Sequence, residues 1–179
     1  YDAPPELSFL LNELFNTDFS RCYLALRSLS CCDSDELWPL IEAVWQEKGW
    51  NDYGANYFIL HLFGLRPNWP ATALATIEAL LQEAIHNQRP QFRKSRPVAI
   101  LSYSVLFPKQ FLDHCQSWLS STEMPVWECR YACWLALERI FNQQPPAERS
   151  QWFQVLSDHV DPESLVQLRH QQFLQSRAA

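Results

Sequence analysis

The stretch Trp127–Asn142, WECRYACWLALERIFN, limits the possible folds more than any other part of the chain. Every residue from Tyr131 to Leu137 is apolar, and the charges Glu128, Arg130, Glu138 and Arg139 stand at its two ends. A helix that is apolar on nearly every side must be covered on nearly every side. The stretch therefore predicts an inner helix with other helices packed around it. A chain of 179 residues that is 47% hydrophobic and holds eight tryptophans has the material for such a core, and lacks the composition of a disordered segment. Its three glycines (Gly49, Gly54 and Gly64) leave little room for tight hairpins or Gly-rich phosphate loops.

Apolar periodicity predicts helices along the rest of the chain. Leu7, Leu10, Leu11 and Leu14 share one face. Phe19, Tyr23, Leu26 and Leu29 share another, behind Thr17-Asp18 as capping residues. Residues 35–48 are amphipathic through Leu37, Leu40, Ile41, Val44 and Trp45, with Pro39 in the first turn; residues 51–65 are apolar at the centre. Ala71–His86 is amphipathic through Leu74, Ile77, Leu80, Leu81 and Ile85, and Pro97–Phe107 is apolar. Pro108–Leu119 is amphipathic through Phe111, Leu112, Cys115, Trp118 and Leu119, and the inner helix follows. Residues 148–160 form an amphipathic helix through Trp152, Phe153, Val155, Leu156 and Val160, and a Gln-rich helix behind Asp161-Pro162 closes the chain. The β-branched and aromatic segments NYFILHLF and PVAILSYSVLF also admit an α/β reading with buried strands. Their length, and the helix formers in YACWLALERIF, favour helices.

An outer amphipathic helix followed by an inner apolar one, recurring every few tens of residues, marks a helical solenoid. Glu36-Leu37-Trp38-Pro39-Leu40-Ile41 followed by an apolar helix, and Cys129-Arg130-Tyr131-Ala132-Cys133-Trp134-Leu135-Ala136-Leu137 as a second helix, resemble the HEAT repeat over residues 18–160. Arg21 and Arg96 stand in places similar to that of Arg130, near the starts of inner helices; the second repeat has Asp52 or Tyr53 there instead. The expected fold is all-α, an irregular α-solenoid of HEAT-like antiparallel helix pairs, with about eight to ten helices. It reads as one domain over 1–179, with N-terminal capping helices in 1–30, a repeat core in 35–143 and a C-terminal capping pair in 146–176.

The net charge of −6 is uneven: residues 1–90 hold five Lys/Arg against twelve Asp/Glu, and residues 91–179 nine against eight. An acidic chain argues against broad contact with phosphate backbones. The basic segment Arg89–Arg96, RPQFRKSR, sets cations around Phe92 in a way that could hold phosphates and stack bases, or dock an acidic partner. Of the six cysteines, Cys22, Cys129 and Cys133 fall within apolar helical patterns, where free cysteine acts as a small hydrophobe. With no segment long and apolar enough for a membrane span and no visible signal peptide, a cytoplasmic location is expected.

Catalytic motifs are absent: there is no P-loop, GxGxxG, HExxH or GxSxG. Asp113-His114-Cys115 with Cys129 and Cys133 has the ligand types for zinc but lacks a paired CxxC knuckle. Asp113 and Asp158 each precede a histidine, but neighbouring helical side chains point about 100° apart, too far for the acid to orient the ring. No metal, cofactor or catalytic residue is therefore assigned. The HEAT-like resemblance implies a non-catalytic protein–protein interaction module or adaptor, including an immunity-type inhibitor, that binds a macromolecule through concave inner helices. The expected partner contacts are Arg21, Asn56, His61, Arg93, Lys94, Arg96 and Arg130, with Arg21, Arg96 and Arg130 equally readable as ties between repeats. The alternative is an enzyme or nucleic-acid-handling protein on the same scaffold, as DNA-repair glycosylases and bilin lyases with HEAT-like repeats exemplify.

Overall fold

The computed structural model describes residues 5–48, 53–144 and 156–177. Within them the regular structure is helical, with no strand. The helices are α1 (Pro5–Glu13), α2 (Phe19–Ser30), α3 (Leu37–Lys48), α4 (Tyr53–Leu65), α5 (Ala71–His86), α6 (Ser95–Leu106), α7 (Pro108–Trp118), α8 (Trp127–Gln143) and α9 (Ser164–Arg177). This excludes the α/β reading, and the order of amphipathic and apolar helices is compatible with a helical-repeat stack. No helix among the described residues is long and apolar enough to cross a membrane. The chain divides into two compact units, Tyr1–Ser102 and Tyr103–Ala179.

In the first unit, α2 packs against α1 and α4. Its start is set by Asp18, whose side chain accepts the Ser20 N–H at 2.9 Å, as expected of a capping residue. Its buried face is Cys22, Ala25, Leu26 and Leu29, spaced i, i+3, i+4, i+7. The expected face through Phe19 and Tyr23 is corrected: they are 67% and 49% exposed and lie against Phe58 from outside, because the smaller Cys22 and Ala25 occupy the contact stripe. Helix α4 buries Phe58, Ile59, Leu60, Leu62 and Phe63.

Helices α4 and α6 touch at Gly64. A Cβ there would lie 2.6 Å from Ser102 Oγ and 2.7 Å from Ser102 Cα. The approach lets Ser102 Oγ donate to the Leu60 carbonyl at 2.6 Å. The basic segment Arg89–Arg96 contains a 3₁₀ turn, Pro90–Phe92, and Phe92 is fully buried. That ring is core and cannot act as a base-stacking platform.

In the second unit, α8 is the expected inner helix, burying nine residues from Cys129 to Phe141. It packs against α7 and α9. Helix α7 buries Phe111, Leu112, Cys115 and Trp118, as its periodicity predicts. Helix α9 buries Val166, His170 and Phe173, an i, i+4, i+7 stripe with a histidine in the middle. Trp152, Phe153 and Val155 lie outside the described residues. Leu156 is buried, whereas Val160, expected on the same apolar face, is 79% exposed beyond the helical residues.

Two substitutions check this packing. Gly64→Ala should cost about 1–2 kcal/mol in equilibrium denaturation, because the clash with Ser102 outweighs the gain in helix propensity. Trp134→Ala should cost about 3–5 kcal/mol, since the indole is fully buried.

Candidate functional site

Six of the seven expected partner contacts belong to the first unit, and Arg130 to the second. Arg21 is exposed and forms a two-pronged pair with Glu13 at 2.7 and 3.0 Å. Asn56 is 2% exposed, and its Nδ2 has no hydrogen-bond partner among the described residues. His61 sits half-buried against Tyr57, and burial lowers the pKa of its ring, keeping it neutral near pH 7. Arg93 and Lys94 are exposed. Arg96 is buried and donates from Nη1 to the Asn87 carbonyl at 2.9 Å and to Gln88 Oε1 at 3.2 Å.

Arg130 is the most fully bonded of them. Nε and Nη2 donate to the two Asp161 oxygens at 2.8 and 3.0 Å, while Nη1 donates to the Met124 and Pro125 carbonyls at 2.7 and 3.2 Å. Both partners are buried. Asp161 also accepts the Glu163 N–H at 2.9 Å, and its own N–H donates to Gln167 Oε1 at 2.8 Å, an exchange that fixes the entry to α9. Burial alone would raise the Asp161 pKa, but the bonds from Arg130 and Glu163 and the nearby positive charge bring it below its ordinary value of 3.8.

A ring cluster adjoins this pair. His170 is 1% exposed and stacks on Trp134 with centroids 4.2 Å apart and planes 16° off parallel. His159 meets both rings edgewise or tilted, and its Nε2 is 3.8 Å from Asp161 Oδ2. Burial lowers the His170 pKa despite the nearby Leu156 carbonyl. His159 also helps line a hollow of about 220 Å³ with Gln116, Leu119, Leu156 and Asp158.

A second hollow, of about 240 Å³, lies among the end of α6, the start of α7 and the end of α8. Val105, Pro108, Leu112 and Ile140 give it apolar walls, and Lys109, Arg139, Gln143 and Gln144 contribute its polar groups. Sequence reasoning missed this site because its residues come from three helices, each of them unremarkable alone.

Three of the cysteines belong to the core of the second unit. Cys115, Cys129 and Cys133 are buried near one another. Burial pushes the Cys115 thiol up to about 11 and the Cys133 thiol well above its ordinary value. Among the described residues no group of three His, Cys, Asp or Glu side chains is placed to hold a metal ion. His114, expected beside Cys115, is exposed and stacks on Trp118.

Two measurements test the Arg130–Asp161 pair. Arg130→Ala should cost about 3–5 kcal/mol, because it strands a buried carboxylate. The pH dependence follows from the signs. Asp161 is held below its unfolded value, so its stabilisation is complete above about pH 4 and is lost as pH falls through the lower folded-state value. His61 and His170 are held below 6.5, so from there downward the unfolded chain takes up protons that the folded chain resists. Stability should therefore fall as pH drops below about 6.5 and again below about 4. His170→Phe should flatten the part just below pH 6.5 in denaturation curves.

No protein-family model matches the chain, and no solved structure does. Over 178 residues it is 35% identical to the bilin biosynthesis protein CpeY of Synechococcus sp. (strain WH8020), covering 99% of this chain and 40% of the relative. Over 139 residues it is 34% identical to the uncharacterized phycocyanin operon protein Y of Pseudanabaena tenuis (strain PCC 7409), covering 78% of this chain and 31% of the relative. The chain thus spans less than half the length of both relatives. These likenesses overturn the expected non-catalytic adaptor or immunity-type inhibitor and agree better with the enzyme-side alternative. The adaptor reading rested on fold analogy and leftover polar residues, and a helical scaffold does not carry its function in its fold. The chain is a helical protein whose relatives bear names from bilin biosynthesis and the phycocyanin operon.

Proposed function

We propose that this chain acts in bilin biosynthesis, as the helical, HEAT-like part of a bilin lyase-type protein that presents an open-chain tetrapyrrole to a cysteine of a phycobiliprotein. The observation that carries this reading is the 35% identity to a bilin biosynthesis protein across 99% of the chain. A helical scaffold with a partly apolar, partly basic hollow suits a ligand that is a flat apolar chromophore carrying carboxylates. The buried, protonated thiols of Cys115 and Cys133 are poor candidates for holding the chromophore covalently, which agrees with transfer to a cysteine elsewhere. Exposed Arg93 and Lys94 are offered as contacts for the acceptor protein, and the cytoplasm as the compartment. Because the chain covers 40% of the relative, the complete attachment reaction is proposed for the longer protein, and chromophore binding for this part.

The test is titration of the 179-residue chain with biliverdin, followed by absorbance. Binding should sharpen and shift the long-wavelength band at micromolar ligand. The chain added to apo-phycocyanin subunit and bilin should also raise the amount of chromophore that survives denaturing electrophoresis. An unchanged spectrum together with unchanged attachment would rule the proposal out.

A further inference from the structure

The geometry points to the hollow between α6, α7 and α8 as a site that anchors the carboxylate of an apolar, ring-bearing acid. Its apolar walls come from Val105, Pro108, Leu112 and Ile140, and two cations, Lys109 and Arg139, stand beside them. Both cations are exposed, and among the described residues neither pairs with a carboxylate. By contrast, Arg21, Arg130 and Arg169 each face an acid: Glu13, Asp161 and Glu138.

Lys109 is also in an unfavourable place for its own helix. It lies in the first turn of α7, which has no acidic residue and no side-chain cap, where the helix dipole favours negative charge. A bound carboxylate would relieve that repulsion, and Arg139, lining the same hollow, offers a guanidinium that can grip two oxygens. Apolar walls beside the cations select an acid with a hydrophobic body over a small inorganic anion. At about 240 Å³ the space is below the usual 300–1,000 Å³ of a whole-ligand pocket, so it takes one end of a larger molecule. On the bilin reading proposed above, on which this identification rests, that end is one pyrrole ring with its propionate.

The experiment uses 3-phenylpropionate, 3-phenylpropanol, biliverdin and biliverdin dimethyl ester against the whole chain, by NMR for the small probes and absorbance for the tetrapyrroles. The unmodified chain should bind the acid about tenfold more tightly than the alcohol. The Lys109→Gln/Arg139→Gln double variant should lose that preference, and Lys109→Arg should keep it. Biliverdin should weaken about tenfold in the double variant while its dimethyl ester stays unchanged. Equal binding of acid and alcohol by the unmodified chain, or an acid preference that survives in the folded double variant, would overturn the site. Should the double variant fail to fold, the acid-against-alcohol comparison decides alone. A cation-dependent grip on 3-phenylpropionate, with an unchanged biliverdin spectrum and unchanged chromophore attachment, would uphold the site and sink the bilin reading. Biliverdin binding indifferent to both cations and to esterification would uphold the bilin reading and sink this site as its anchor.

Discussion

A guanidinium buried in a helical protein has to find hydrogen-bond acceptors where it stands, and that constraint recurs at three connections of this chain. Arg66 donates to the Cys32 and Ser34 carbonyls at 2.5 and 3.0 Å, in the turn between α2 and α3, and lies 4.6 Å above the Trp69 ring. Arg96 reaches the Asn87 carbonyl after α5, and Arg130 reaches those of Met124 and Pro125 before α8. Each irregular connection exposes carbonyls that no helix can pair, and a fixed fork of N–H donors meets them. With only three glycines available for tight turns, side chains take over the work of holding the loops.

Of the three, Arg130 alone among the described residues has a buried carboxylate opposite. Its pair with Asp161 joins the first turn of α8 to the entry of α9. Once those helix ends are held, the faces between them must match, and they do so through rings: His170 on Trp134, and Phe173 against both Trp134 and Phe141. A histidine at the centre of that apolar stripe stays neutral, so the fit depends on pH in a way that a leucine there would not. The Arg169–Glu138 pair, at the margin between the same two helices, adds a further link.

The functional reading lives on a different part of the molecule. Three of the buried polar residues are consumed by the scaffold: Arg130 by Asp161, Arg96 by its loop, and Ser102 by the close approach of α4 and α6. The cations that remain turned outward, Lys109 and Arg139 among them, are ordinary in sequence and gain meaning from the apolar walls beside them.

The helices were legible in the sequence because burial imposes a period. The stripes of α7 and α8 could be read directly, and the complete apolarity of Tyr131–Leu137 required an inner position. The Asp18 cap was legible too, since its partner N–H is two residues away. What periodicity could not give was the choice among competing faces, as with Phe19 and Tyr23, where smaller residues took the contact. Nor could it pair Arg130 with Asp161, 31 residues apart, place His170 against Trp134, or bring α6, α7 and α8 around one hollow. A helix's period is written in neighbouring residues, so the sequence by itself determines which segments coil and which sides are apolar. Partners of a charge, and the walls of a pocket, come from segments whose separation in sequence carries no local signal, and only the tertiary structure decides them.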